Sequence, residues 1–457
     1  MHQQQKPQQY QPQKRREEGQ SEEQGFDWRH TGGKSPVSSK TSSAQTQAQI
    51  QMQIPTLAGD RRRLIVAVTN DAMGNAFLNS LRQNQAQLGF EFAGTLEEML
   101  ARRKVQNATQ ARELRDNFAF LEVPPGYEFP IMNTVLRHGC SIALQEMADV
   151  DIEPDLPMRM SGAAAALGPN YQLRSSGSMH NQYLSILNTA AAPSNGQGVR
   201  VAVVDSGFER QGVLSGFLDL VEPDNSVEKD NFGHGTAMAS IIADIIPGAF
   251  VYSVRIADQG PDVSEAMLGI SAASFHFHSD IINVSFGLPQ GKSCPTCGSS
   301  SKVSRVFFRL LRSLSEKAMN PSGPPIIVAA TGNDGHSTGF DSPAQWDFIV
   351  AVGSINLNKD RSGFSNYGTI GHQRYLMMPG GDEAGTSATE WVGEANQKCY
   401  GTSVAAAYAS GVLGLFMSDP KHQQPTKKQF LDGVLNTCQP CNNQNAIEHG
   451  LGYLPYS

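Results

Sequence analysis

The chain has no apolar run of 18 residues, so no helix of it is expected to span a membrane. It also lacks a short apolar core behind its start. MHQQQKPQQYQPQKRREEGQ, residues 1–20, is polar throughout, which is not the texture of a secretory signal, and on that reading the protein stays in the cytoplasm. No basic stripe crosses a folded segment, and a net charge of -7 argues against a nucleic-acid scaffold. Cysteine is scarce. There are six in 457 residues, four of them in two C-x-x-C pairs, which points to metal or redox chemistry more than to a secreted disulfide framework. Large apolar side chains are sparse in residues 1–60, where Gln, Ser, Lys and Glu dominate; such a segment cannot offset the entropy of ordering and reads as a disordered tail.

A hydrophobic content of 39% over the whole chain is enough to bury a sizeable core, and the length suits two folded units beyond the tail. The first is expected over 61–157. LIVAVTN is strand-like, DAMGNAFLNSLRQNQAQLGF has helical spacing, TLEEMLARRKVQNATQARELRDN fits a further helix, and NFAFLEVP, PIMNTVLRHGC and ADVDIEP read as strand, helix and strand. That alternation predicts a small α/β sandwich. Residues 158–182 are small, polar and Gly-rich and read as an exposed linker, where proteolytic nicking concentrates. The second unit, 183–457, contains GVRVAVVDSGF, AFVYSVRI, DIINVSFG, PPIIVAATGN and FIVAVGSI, nearly continuous apolar strands with helical stretches between them. Strand and helix in regular alternation predict a parallel sheet covered on both faces, with its chemistry at the carboxyl ends of the strands.

Four segments place reactive side chains at such ends. YGTSVAAAYASGVLGLF, residues 400–416, reads as a helix buried on every side with Ser403 in its first turn, where unpaired N–H groups favour an oxygen that becomes negative. Taken alone, Thr402 or Ser403 is simply a helix cap. NFGHGTAMASIIADII sets His234 between two glycines at a helix entry; by itself it is a capping or surface residue, but beside Ser403 it is a base for the hydroxyl proton. Asp205 ends the strand VAVVD and would orient that imidazole, its alternative being a turn residue before Gly207. Asn333 follows a further strand in VAATGNDG, where its amide and the Ser403 N–H would donate to the oxyanion of a tetrahedral intermediate, unless Asn-Asp-Gly is only a turn.

The motifs VAVVDSG, GHGTAMA, INVSFG, AATGND and GTSVAAAYASG, in that order, resemble the signature segments of the subtilisin-family (subtilase) serine peptidases over roughly residues 180–456. The resemblance implies a subtilisin-like parallel sheet and a triad of Asp205, His234 and Ser403 with Asn333 in the oxyanion hole. The triad order and the oxyanion asparagine are the standard description of subtilisin itself. It further implies that the segments around Gly260 and Ser285-Phe286-Gly287 clamp a peptide substrate as an added strand. Residues 61–157 would be a ferredoxin-like prodomain that inhibits the enzyme from within the chain, self-removal cutting between about Asp155 and Ser185. Two departures stand out: Ala407 and Tyr408 replace the proline and histidine usual after the serine, and ADIIPGA after the His234 helix leaves no room for the calcium loop many members carry there.

The family does not account for the cysteine pairs. Cys294 and Cys297 have the form of a zinc knuckle that Cys438 and Cys441 would complete if the fold brought them together; free thiols or local disulfides are the alternatives. Cys399, near Ser403, is either a redox-sensitive thiol or a small buried hydrophobe. The expected activity is endopeptidase hydrolysis through an acyl-enzyme. Two alternatives stay open: a transpeptidase or macrocyclase lidded by the insertion 380–398, and a non-catalytic peptide-binding module.

Overall fold

A computed structural model describes residues 61–142, 150–161, 163–164, 178–209, 212–289, 303–317, 323–369, 371–384, 387–393 and 398–457. These all belong to one compact unit, Gln53–Ser457.

The first part runs β1 (Arg62–Thr69), α1 (Ala72–Leu88), β2 (Glu91–Thr95), α2 (Leu96–Arg102), β3 (Asp116–Val123), α3 (Glu128–Ile142) and β4 (Val150–Pro154). Its four strands form an antiparallel sheet in the order β2-β3-β1-β4, the ferredoxin-like arrangement. Strand periodicity explains why every residue from Leu64 to Val68 is buried. Leu64, Val66 and Val68 pack with Phe77, Leu78 and Leu81 of α1, while Ile65 and Ala67, on the other face, join the large core of the rest of the chain. Asp71 caps α1 by accepting from the Gly74 N–H, and the helix stops at left-handed Gly89. The long helix expected from Thr95 to Asn117 is cut short. Lys104 and Asn107 adopt positive φ, which ends α2 at Arg102 and leaves one 3-10 stretch, Ala108–Glu113.

Next in the chain come β5 (Arg159–Met160), β6 (Ala163–Ala164), α4 (Met179–Ile186), β7 (Arg200–Asp205), β8 (Gly216–Asp219), α5 (His234–Ile245), β9 (Phe250–Arg255), α6 (Val263–Phe275), β10 (Ile281–Val284), β11 (Phe286–Gly287), α7 (Arg305–Glu316), β12 (Ile326–Ala330), β13 (Val350–Ile355), β14 (Tyr375–Pro379), β15 (Asp382–Ala384), β16 (Ser387–Glu390), β17 (Cys399–Tyr400) and α8 (Thr402–Ser418). Seven strands make a fully parallel sheet in the order β14-β13-β12-β10-β7-β9-β8, flanked by helices. Its central strands are buried on both faces, as their continuous apolar runs require, while the edge strand β8 is half-buried. Helix α8 is buried from Thr402 to Phe416 and packs on α5. Gly411 and Gly414 permit that approach: a Cβ on either would come within 2.8 Å of Ile245 or Ile246.

Helices α6 and α7 pack against this first part of the chain, α7 on its four-stranded sheet and α6 on α2 and the 3-10 stretch. Their starting N–H groups are met by its carboxylates: Asp155 Oδ1 accepts from Ser264 N–H at 2.8 Å, and Glu153 Oε1 from Arg305 N–H at 2.6 Å. Burial, helped by the charge of Asp262, pushes the Asp155 carboxyl up to about 7; burial likewise pushes Glu153 up to about 7. Arg309 of α7 adds ion pairs to Asp116 and Asp151.

The stretch 158–182 differs from an exposed linker at both ends. Met158 is buried and β5 pairs antiparallel with β11, while helix α4 already begins at Met179. Edge-strand N–H and C=O groups accept a partner strand whatever its side chains, so a Gly- and Ala-rich segment adds there as readily as an apolar one.

Candidate active site

Asp205, His234 and Ser403 come together at the carboxyl edge of the parallel sheet, and all three are wholly buried. Asp205 closes β7, His234 opens α5 and Ser403 is the second residue of α8. The His234 Nδ1 lies 2.7 Å from Asp205 Oδ1, and its Nε2 lies 3.1 Å from Ser403 Oγ. With Nδ1–H donating to the carboxylate, Nε2 is left to accept from the hydroxyl. Burial disfavours a charged imidazole most strongly as a single influence. Asp205, by charge and hydrogen bond, and then Asp230 outweigh it and hold His234 above its ordinary value.

Asp230 was not legible in the sequence as part of the site. Helix α5 starts behind Gly233, which has no side chain to cap it. Asp230 does so instead: Oδ1 accepts from Ser206 Oγ, Phe232 N–H and Gly233 N–H, and Oδ2 from Thr236 N–H and Oγ–H, at 2.6–3.1 Å. One buried carboxylate thus joins the Asp205-Ser206 turn to the helix that presents His234. An aspartate three residues before Gly233 was the only signal, and it became readable only once the turn at Ser206 was folded against it.

Asn333 follows β12, and its Oδ1 accepts from both the backbone N–H and the hydroxyl of Thr402, at 2.9 and 2.8 Å. The amide is therefore oriented with its NH2 group as the available donor. The Ser403 N–H, in turn, donates to the carbonyl oxygen of Ser161 at 3.0 Å. On one side of that carbonyl, Ser161 N–H donates to Ser285 O at 2.8 Å, β5 pairs with Phe286 and Gly287, and Met158 N–H donates to Pro261 O at 2.7 Å. On the other, β6 pairs antiparallel with β17. Gly260 is where it has to be: a Cβ there would lie 2.5 Å from the Met158 carbonyl oxygen. All four residues expected to clamp a peptide, Gly260, Ser285, Phe286 and Gly287, thus line one strand of the chain itself.

The other sequence-derived positions divide. Cys399 is fully buried, and burial together with the Asp205 charge pushes its thiol up to about 12, which makes it an inert packing residue at neutral pH. Cys438 and Cys441 are free thiols, both pushed up to about 12 by burial. Cys294 and Cys297 lie outside the described residues, and among those described no group of three or more His, Cys, Asp or Glu side chains is set to hold a metal. Residues 246–249 alone connect α5 to β9. His276 accepts from the Gln106 N–H of the first part of the chain. Tyr408 meets the buried His180 of α4, whose Nε2 lies 2.7 Å from Asp244 Oδ2, so the start of α4 is tied to the serine helix.

The carboxyl edge of the parallel sheet thus brings together buried Asp, His and Ser side chains, with a strand of the chain laid across them. The model of the subtilase family matches residues 196–453, more than half of the chain, and the chain belongs to that family. It is 28% identical to subtilisin NAT of Bacillus subtilis subsp. natto over 273 residues, which cover 56% of this chain and 64% of that protein. It is likewise 28% identical to a thermostable alkaline protease of Halalkalibacterium halodurans over 284 residues, 59% of this chain and 70% of that one. Over 240 residues it is 26% identical to subtilisin DY of Bacillus licheniformis, covering 49% and 78%.

Proposed function

We propose that the protein is a serine endopeptidase whose first substrate is its own peptide bond between Ser161 and Gly162. The observation that carries this reading is the Ser161 carbonyl, which accepts from the Ser403 N–H at 3.0 Å while the Ser403 hydroxyl lies 3.1 Å from His234 Nε2. A peptide carbonyl thus rests in the hole beside the nucleophile, with pairing strands before and after it.

Ser403 Oγ attacks the Ser161 carbonyl carbon as His234 Nε2 takes its proton, and Asp205 stabilises the imidazolium. The oxygen that becomes negative is held by the Ser403 N–H and the Asn333 NH2 group, whose orientation Thr402 fixes. His234 then protonates the amine of Gly162, the C–N bond breaks, and an ester of Ser403 with Ser161 remains. Water, deprotonated by His234, hydrolyses that ester to the Ser161 carboxylic acid and restores the hydroxyl. The same steps apply to peptide or protein substrates supplied from outside. Residues 61–161 act as an inhibitor for as long as they occupy the cleft.

The test is intact mass of the purified wild-type and Ser403→Ala proteins, with and without a fluorophosphonate. A cut after Ser161 in the wild type alone, with one adduct on the larger fragment, is the expected result. The same cut in Ser403→Ala, or an uncut wild-type chain that takes no adduct even after the N-terminal part is removed, would overturn the reading.

A further inference from the structure

The strand that lies across Ser403 carries one long charged side chain, Arg159, two residues before the Ser161 carbonyl. Alternate side chains of a strand share a face, so Arg159 projects from the same side as Ser161, whose own small side chain leaves that side open. The guanidinium meets two carboxylates: Nη1 donates to Asp334 Oδ1 at 2.9 Å and Nη2 to Asp341 Oδ2 at 3.4 Å.

Both acids sit in the loop that leaves β12, Asp334 directly after the oxyanion residue Asn333. Asp341 is only 1% exposed. Hydrogen bonds hold the loop around them. Asn366 accepts from the Asp334 and His336 N–H groups and donates to Thr331 O and, at 3.5 Å, to Asp341 Oδ1, and Asp341 N–H also donates to Thr331 O. Two glycines make room for the buried acid: a Cβ on Gly332 would lie 2.5 Å from Asp341 Oδ2, and one on Gly287 2.9 Å from Asp341 Cβ. Gly287 is also the residue that pairs with Arg159 in the strand ladder. The carboxylate therefore forms part of the cleft wall directly beneath the bound strand.

A carboxylate this buried calls for a cation, and a guanidinium that bridges two acids is the partner its forked geometry suits best. Here the cation comes from the segment that self-cleavage would release. We propose that Asp334 and Asp341 are the specificity-determining residues of the cleft, and that the enzyme takes peptides that present an arginine side chain on the face shared by Arg159 and Ser161. This rests on the reading of the chain as a serine peptidase. A neutral isostere offers the two carboxylates no charge to pair with, whereas lysine, a single point charge, spans the two acids less well.

The test uses self-processed wild-type protein and quenched peptides of the chain's own sequence Leu-Pro-Met-Arg-Met-Ser-Gly-Ala-Ala, with arginine, lysine or citrulline at the fourth position. Expected is a kcat/KM for arginine at least tenfold above citrulline, with lysine between. Asp341→Asn should shrink that ratio to below threefold by lowering the arginine rate, whereas a merely misfolded loop, which also carries Asn333, would slow all three peptides alike and leave the ratio unchanged. A peptide with arginine in place of the serine and methionine in place of the arginine is expected to lose its rate in Asp341→Asn as well. Citrulline cut as fast as arginine, or a ratio that survives both Asp341→Asn and Asp334→Asn, would overturn the assignment and leave the peptidase reading standing. Labelling of Ser403 with none of the peptides cut would do the same. No cleavage together with no labelling would instead remove the peptidase reading, and this inference with it.

Discussion

Asp230→Asn isolates what one buried carboxylate does for both the fold and the histidine. In the wild type its two oxygens accept five hydrogen bonds, three of them from backbone N–H groups at the start of α5. An amide presents one NH2 where an oxygen was. The Thr236 hydroxyl can turn to accept, but it already accepts from Glu209 N–H at 3.0 Å, and the Thr236 N–H then faces another donor. One stranded buried donor costs about 1–3 kcal/mol, and losing a negative charge at a helix start adds about 0.3–1 kcal/mol. The expected loss of stability is therefore about 1.3–4 kcal/mol, measured by urea unfolding in a Ser403→Ala background so that self-cleavage does not intervene. The second readout is the histidine. Asp230 is one of the groups that raise His234, so without it the imidazole deprotonates at lower pH. On the proposed mechanism His234 serves as base only when neutral, and the acid limb of fluorophosphonate labelling should move down in the variant. A stability change below about 0.5 kcal/mol together with an unmoved acid limb would show that Asp230 neither caps α5 nor acts on His234 as argued.

Two further predictions concern the strand across the cleft. Gly260→Val puts a Cβ 2.5 Å from the Met158 carbonyl, so the strand must lift off and the Met158 to Pro261 hydrogen bond is lost; self-cleavage, followed by intact mass over time, should slow about tenfold or more, about 1.4 kcal/mol of barrier, and an unchanged rate would count against this docking. Asp155 and Glu153 titrate near 7 when docked but near 4 when free, so the docked state holds protons more tightly. Their contribution to docking is whole below about pH 4, is lost as the pH rises to about 7, and changes no further above it. Hydrogen exchange of residues 150–161 in Ser403→Ala, corrected for intrinsic rates, should show protection falling over that window, and protection that rises instead would reverse the sign.

The parallel sheet and the buried serine helix were legible because both are written locally. Apolar runs such as VAVVD and IIVAA are long enough to be strands and end in Asp-Ser-Gly or Thr-Gly-Asn, and the stretch behind Ser403 carries no charge at all. The fold subsequently brought Asp205, His234, Ser403 and Asn333 to one edge. What could not be read depends on contacts far apart in the chain. Helix α2 was overdrawn because apolar spacing continues through Val105 and Ala108, while the left-handed backbone at Lys104 and Asn107 leaves no such trace. The ladder that docks residues 157–161 is made by backbone groups, which sequence does not vary, and the acids that meet Arg159 lie far along the chain. Nothing local marks Asp341; Thr331, Asn366 and two glycines fix it in the wall of the cleft.

The chain is held on both sides of the Ser161 carbonyl, by β5 on β11 and by β6 on β17. Breaking a bond between two clasped strands does not by itself empty the groove. The new carboxyl end would stay behind as a resident product, anchored further by the caps on α6 and α7. The first turnover and the start of turnover on foreign peptides would then be separate events, with a lag set by release of that product and its rebinding. Before release the occupant's effective concentration is fixed by the fold; afterwards it is set by the volume it escapes into. Onset would accordingly come sooner on dilution and later where the protein is crowded, so that the same molecule keeps time differently according to how much of it surrounds it.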